Sequence, residues 1–324
     1  MPLRDGMMSR QPPSRLWSVT CFYNPCRYES RLANYHVFRR ELATPLLTVE
    51  WAPDGRFQLG RGDAEVLLQV RGGDLLWQKE RLLNLGIEAL PDTCEIAAWV
   101  DCDVIFERDD WAELAGEALE QDGLVHLFTH RFELPRHQSD PAGFGKTELA
   151  GIRPKTSVVD HWFRNQITDR EMADADAPLT SHSTCGLAWA ARRDLLLAHG
   201  LYDACILGTG DRVMLAAAMG KFDAGGRSVK MSDEWAAHYR AWGRPFHAAT
   251  GGRVGVLPGA IAHLWHGDLE DRRYGTRHDV LRDHHFDPAR DIAIGDTGSW
   301  TWSSDKPGLH RAVAGYFDSR REDG

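Results

Sequence analysis

Apolar positions recur along the chain with two periods. "LWSVTCFY" (16–23), "LLTVEW" (46–51), "EVLLQV" (65–70) and "IAAWV" (96–100) are short and rich in β-branched and aromatic residues. They are bounded by turn signals such as Asn24-Pro25 and "APDG", so they read as strands. "RYESRLANYHVFRREL" carries Leu32, Tyr35, Phe38 and Leu42 at helical spacing and stops before Pro45. Asp74 is placed to cap a second helix, "LLWQKERLLNLGIEAL", which Pro91 ends. A helix from about 110 to 120 and a strand "LVHLF" (124–128) follow. "IAAWV" shows no alternation, the mark of a strand buried on both faces.

Residues 130–183 change character, being rich in Pro, Gly, Asp and His with weak periodicity. Over 133–183 the expectation is a lid or acceptor loop. Order returns with a strand and helix in "GLAWAARRDLLLAHG" (186–200), and a helix follows "GTGD" (208–211). "DEWAAHYRAWG" reads as a helix, and "VGVLPG" and "AIAHLWHG" (260–267) as strands. Beyond about 286 no period is clear. Strands alternating with helices predict an α/β fold in a single domain: a mostly parallel, Rossmann-like central sheet flanked by helices. The expected division is a flexible leader 1–15, the domain 16–285, and an extension 286–324 packed on or trailing it. Ligands in such sheets bind at the carboxyl ends of the strands.

Composition narrows the classes. The 324 residues suffice for a sizeable core, and a formal net charge of −9 disfavours nonspecific binding to nucleic acid or anionic membrane. There is no apolar run of about 18 residues, so no membrane span is expected. The first residues, "MPLRDGMMSRQPPSRLW", lack the apolar centre of a signal peptide. Six cysteines without a CxxC pair suggest free thiols in a reducing cytoplasm.

Three segments carry candidate chemistry. Asp101-Cys102-Asp103 stands at the end of the buried strand "IAAWV". Such a pair either makes a turn or offers hard oxygen ligands to Mg²⁺ or Mn²⁺, with a diphosphate completing the shell. His263 and His266, at the end of a late strand, either pack in the core or converge on a metal, and imidazole would favour Mn²⁺. Arg272, Arg273 and Arg277 follow, either as a solvated face or to neutralise a leaving diphosphate. In "GTGD", Asp211 either caps the next helix or serves as a general base.

Together, "WVDCDVIF", "GLAWAARRDLLLAHGLYDACILGTGDRVM" and "HLWHG" resemble the GT-A class of nucleotide-sugar glycosyltransferases, particularly galactosyltransferase-type members. The resemblance covers roughly residues 16–285. It implies a metal held by Asp103 and His266, with His263 as a further ligand. It implies that Asp101 is a ribose-side or water-mediated companion, that Asp211 is the catalytic or sugar-binding acid, and that Trp189 lines the sugar site. Arg273 and Arg277 would face the diphosphate. The implied reaction moves a sugar from a nucleoside-diphosphate donor, UDP-linked by expectation, to a hydroxyl of a glycan or other acceptor, with inversion. Two departures stand out: Arg212 follows Asp211 where the family places a second acid, and "FYNP" lacks the nucleotide-binding signature of many relatives. Asp160, Asp203 and Glu148 are the alternative bases. The competing classes are a sugar-1-phosphate nucleotidyltransferase or other Mn²⁺ enzyme, and a noncatalytic module that binds a sugar nucleotide.

Overall fold

The computed structural model describes residues 15–136, 152–164, 168, 183–268 and 270–324. Strands β1 (Leu16–Tyr23), β2 (Leu46–Trp51), β3 (Val66–Val70), β4 (Ile96–Val100), β6 (Leu124–His126), β10 (Ala188–Arg192) and β11 (Val254–Val256) form one seven-stranded sheet, in the order β11-β6-β10-β4-β1-β2-β3. All neighbours run parallel except β10, which is antiparallel to both β4 and β6. The mostly parallel sheet expected from the sequence is therefore present, with one reversed strand at its centre.

β4 shows why its sequence lacks alternation. Ala97 and Trp99 enter the apolar cluster on one face of the sheet, and Ala98 and Val100 enter the cluster on the other. A strand covered on both sides has no polar face to show. The covering helices include α1 (Glu29–Glu41), α2 (Lys79–Glu88), α3 (Trp111–Ala118), α5 (Arg193–His199), α6 (Gly210–Ala218) and α8 (Asp233–Thr250). A second sheet, β5-β12-β7-β8-β9, joins β5 (Val104–Phe106) to β12 (Ala260–His263), β7 (His130–Glu133), β8 (Lys155–Ser157) and β9 (Ser183–Thr184). A short helix, α4 (Val158–Phe163), follows β8. Parts of the segment 133–183, expected to be a lid or acceptor loop, are strand and helix. The rest of that expectation falls outside the described residues.

One expectation is corrected. α2 begins at Lys79, not after Asp74. The Asp74 carboxylate accepts from the Trp302 amide (2.7 Å), and Gln78 brackets Trp300 through both its amide atoms, so residues 74–78 are tied to a hairpin instead. That hairpin, β13 (Ile292–Ile294) and β14 (Trp300–Trp302), precedes a final helix, α11 (Pro307–Asp318). Leu309, Val313 and Phe317 of α11 share a cluster with Val19 and Trp99, so the last residues are part of the main core. None of the described helices is long and apolar enough to cross a membrane.

Candidate active site

The turn after β4 places the two aspartates. The Asp101 amide donates to the Leu187 carbonyl (2.7 Å), and β5 then pairs antiparallel with β12, setting Val104 opposite His263. The Leu264 amide donates to the Asp103 carbonyl (2.9 Å), extending the ladder to the metal-ligand candidates. Residues distant in sequence therefore meet for a backbone reason. Nε2 of His266 lies 3.1 Å from Asp103 Oδ2 and 3.1 Å from His263 Nε2, which lies 3.5 Å from Asp103 Oδ1. All three residues are buried, with one ligand atom of each within 4.8 Å of the others.

The electrostatics suit a cation. Burial, then the neighbouring Asp101, pushes the Asp103 carboxyl up to about 7. Burial, then Arg272, holds His266 down at about 3, and burial, then His266, holds His263 well below its usual value. Both imidazoles are neutral, as a metal ligand must be. Asp103 Oδ1 is buried with no hydrogen-bond partner, an arrangement with a cost unless something else occupies it. With ligand bonds of about 2.0–2.2 Å, neighbouring ligands of an octahedral ion stand about 3 Å apart, the spacing seen here. A carboxylate with two imidazoles fits a borderline divalent ion such as Mn²⁺.

Asp101 does not join this group. Its Oδ1 meets Lys79 Nζ at 2.6 Å, and the same ammonium reaches Asp211 Oδ2 at 3.0 Å. Lys79 stands in the first turn of α2, where the helix dipole disfavours a cation, and the two carboxylates compensate. Asp211 is not a cap. The cap position of α6 belongs to Thr209, no side chain caps there, and the Asp211 carboxylate is committed to Lys79. Burial raises the Asp211 pKa against the pull of Lys79. Thr209 itself has φ +76°, a strained value for a β-branched residue. Arg277 donates to its hydroxyl, and His278 Nε2 lies 2.9 Å from it.

Both groups open on one cavity of about 450 Å³. Its lining is strongly cationic, with Arg31, Lys79, Arg131, Arg272, Arg277 and Arg320 among the residues exposed to it. Arg277 lies 4.7 Å under the Tyr274 ring, and Arg320 lies 5.0 Å from the centre of the Trp77 ring. Two expected residues are absent from the lining. Trp189 is fully buried, stacked 4.3 Å from His126 with its indole N–H on the Cys185 carbonyl. Its place on a central strand turns it into the core. Arg273 is exposed at a left-handed turn (φ +45°), and Arg272 takes the inward position. Among the alternative bases, Asp203 is engaged by Arg81 and Asn84, Asp160 by Arg164, and Glu148 lies outside the described residues.

The sequence reading missed Lys79, Arg31, Arg131 and Glu322. Lys79 had a signal, a cation where a helix begins. The others acquire meaning only once distant segments meet.

No protein-family model matches the chain, and no curated protein matches it. Solved structures do resemble it. S. aureus TarS 1–349 in complex with UDP-GlcNAc aligns with TM-score 0.39 and 10% identity over 96% of this chain and 82% of that one. The 4-diphosphocytidyl-2C-methyl-D-erythritol synthase of Anaerococcus prevotii gives 0.33 and 11% over 75% and 88%. The galactosyltransferase LgtC in complex with donor and acceptor sugar analogs gives 0.30 and 10% over 83% and 95%. At these TM-scores the likenesses carry no argument about activity, which rests on the geometry above.

Proposed function

We propose that this chain is a metal-dependent glycosyltransferase, moving a sugar from a nucleoside-diphosphate donor, UDP-linked in our reading, to a hydroxyl acceptor. One observation carries the reading: Asp103, His263 and His266 converge on the wall of a cation-rich cavity that a second carboxylate, Asp211, also lines. Asp103, His263 and His266 would hold the ion, which when bound offsets charge on the departing diphosphate. Arg272, Arg277 and Arg320 bind the same anion and exclude bulk counter-ions. Asp211 takes the proton of the acceptor hydroxyl, its basicity raised by burial and its position fixed by Lys79. The deprotonated acceptor oxygen attacks the anomeric carbon on the face opposite the diphosphate, whose C–O bond breaks, so the configuration inverts. Asp101 holds Lys79 in place.

The test is thermal unfolding with UDP and Mn²⁺ against UDP and EDTA, followed by UDP release from a panel of UDP-sugars. UDP at about 100 times its Kd adds about 2.7 kcal/mol of stability. That gain is expected only with the metal. Stabilisation by nucleoside triphosphates alone, with pyrophosphate released from a triphosphate and a sugar 1-phosphate, would overturn transfer in favour of nucleotidyl chemistry.

A further inference from the structure

The two imidazoles share an orientation that the proposed metal site does not itself explain. Each turns Nε2 inward to Asp103 and Nδ1 outward to a carboxylate. His266 Nδ1 lies 3.9 Å from Glu322 Oε2, and His263 Nδ1 lies 4.0 Å from Glu133 Oε1. Both carboxylates are anchored by two cations. Arg31 and Arg320 hold Glu322 (3.0 and 2.6 Å to Oε1), and Arg131 and Lys155 hold Glu133 (2.8 and 3.0 Å). Glu322 is 2% exposed, and its two guanidinium partners engage both of its oxygens. A carboxylate held by two cations is an acceptor only; without an ion Asp103 Oδ2, 3.1 Å from His266 Nε2, competes for the ring proton, and with an ion on Nε2 the outer carboxylate receives Nδ1–H. One small side-chain rotation closes each gap to hydrogen-bond distance.

Arg272 does not choose otherwise. Its Nη2 is 3.2 Å from His266 Nδ1 and 3.1 Å from Nε2, almost equidistant, so it favours neither nitrogen.

We propose that Glu322 and Glu133 are paired positioning residues, which hold His266 and His263 as Nδ1–H tautomers and leave both Nε2 lone pairs to one divalent cation. The proposal rests on the reading that Asp103, His263 and His266 bind such an ion. It gives two segments distant in sequence from the histidines, 130–133 and 320–323, a direct part in metal affinity. Outer partners of this kind typically contribute 10–100-fold.

The experiment titrates Mn²⁺ into the full chain, following the free-ion paramagnetic resonance signal, for wild type, Glu322→Gln, Glu133→Gln and Asp103→Asn. Imidazole ¹⁵N shifts of the proteins loaded with diamagnetic Zn²⁺ are recorded alongside. Each glutamine variant is expected to weaken Mn²⁺ about 10-fold or more, and to move the Nδ1 resonance of its own histidine, which loses an ionic acceptor. A merely structural glutamate would leave those shifts unchanged. If Glu322→Gln fails to fold, Glu133→Gln decides, since Glu133 is only half-buried. Mn²⁺ affinity within threefold of wild type in the folded glutamine variants, with Asp103→Asn losing the ion, would overturn the pairing and leave the metal site standing. Retention of Mn²⁺ by Asp103→Asn would overturn the site itself.

Discussion

Asp211→Asn separates chemistry from structure because the two readings predict opposite signs. The substitution is isosteric and removes one charge. Lys79 loses the carboxylate at 3.0 Å and keeps Asp101 at 2.6 Å. A charge-assisted hydrogen bond contributes about 1.5–3 kcal/mol, so a structural aspartate should be missed. Burial opposes this, and the pKa of Asp211 is raised, so burial outweighs Lys79. A carboxyl with a folded pKa above its unfolded one binds its proton more tightly when folded. Its ionisation therefore weakens the fold as pH rises past the unfolded value near ~3.9. At pH 7 wild type bears that cost and the variant does not. The variant should unfold within about 1 kcal/mol of wild type or above it, a change of about 2 °C in Tm at this size. Turnover should fall about 10²-fold or more if Asp211 takes the acceptor proton. Urea unfolding at pH 7, and UDP release with donor and acceptor, measure the two quantities. Near-normal turnover would remove Asp211 from catalysis, and a loss of several kcal/mol would refute the electrostatic reasoning.

The other expectations are narrower. Burial, opposed by Lys79 and aided by Asp211, pushes Glu80 up to about 8. Stability should therefore fall as pH rises from about 5 to 8, and Glu80→Gln should flatten that slope in urea titrations. A Cβ at Gly186 would stand 2.7 Å from Asp211 Oδ2, so Gly186→Ala should displace the carboxylate, lowering turnover about 10-fold or more at a stability cost of about 1–3 kcal/mol, read by paired kinetics and denaturation. Trp189→Phe should cost a few kcal/mol by cavity formation and loss of the Cys185 bond while leaving UDP affinity within about twofold, because the indole never reaches the cavity.

How much of this was legible in the sequence depended on how local each feature is. The strand limits at 16–23, 46–51 and 96–100 match because a buried strand writes its burial into consecutive residues. The candidate trio Asp103, His263 and His266 could be named because each ends an apolar run, and chains place their chemistry at such edges. Three things were out of reach. The reversal of β10 leaves no local trace, since an antiparallel neighbour buries Ala190 just as a parallel one would. The inward choice of Arg272 over Arg273 turns on one backbone angle, φ +45° at the latter. The parts played by Arg31 and Glu322 exist only as a pair formed between α1 and the segment after α11. Asp74 misled for a related reason: its acceptor was taken by the Trp302 amide of a hairpin that no sequence period announced.

The pairing of β5 with β12 also has a temporal side. It closes a loop of about 160 residues, for which chain-entropy scaling gives a cost on the order of 4–5 kcal/mol before any contact is rewarded. The parallel pairs β1–β2 and β2–β3 span far shorter stretches of chain and can form earlier. The last rung of the β5–β12 ladder carries Asp103 beside His263 and His266, so the competence to hold an ion waits on a long-range closure of the chain. During refolding, far-ultraviolet ellipticity should recover before Mn²⁺ uptake, and a stalled intermediate would be a largely formed sheet with no place for the cation.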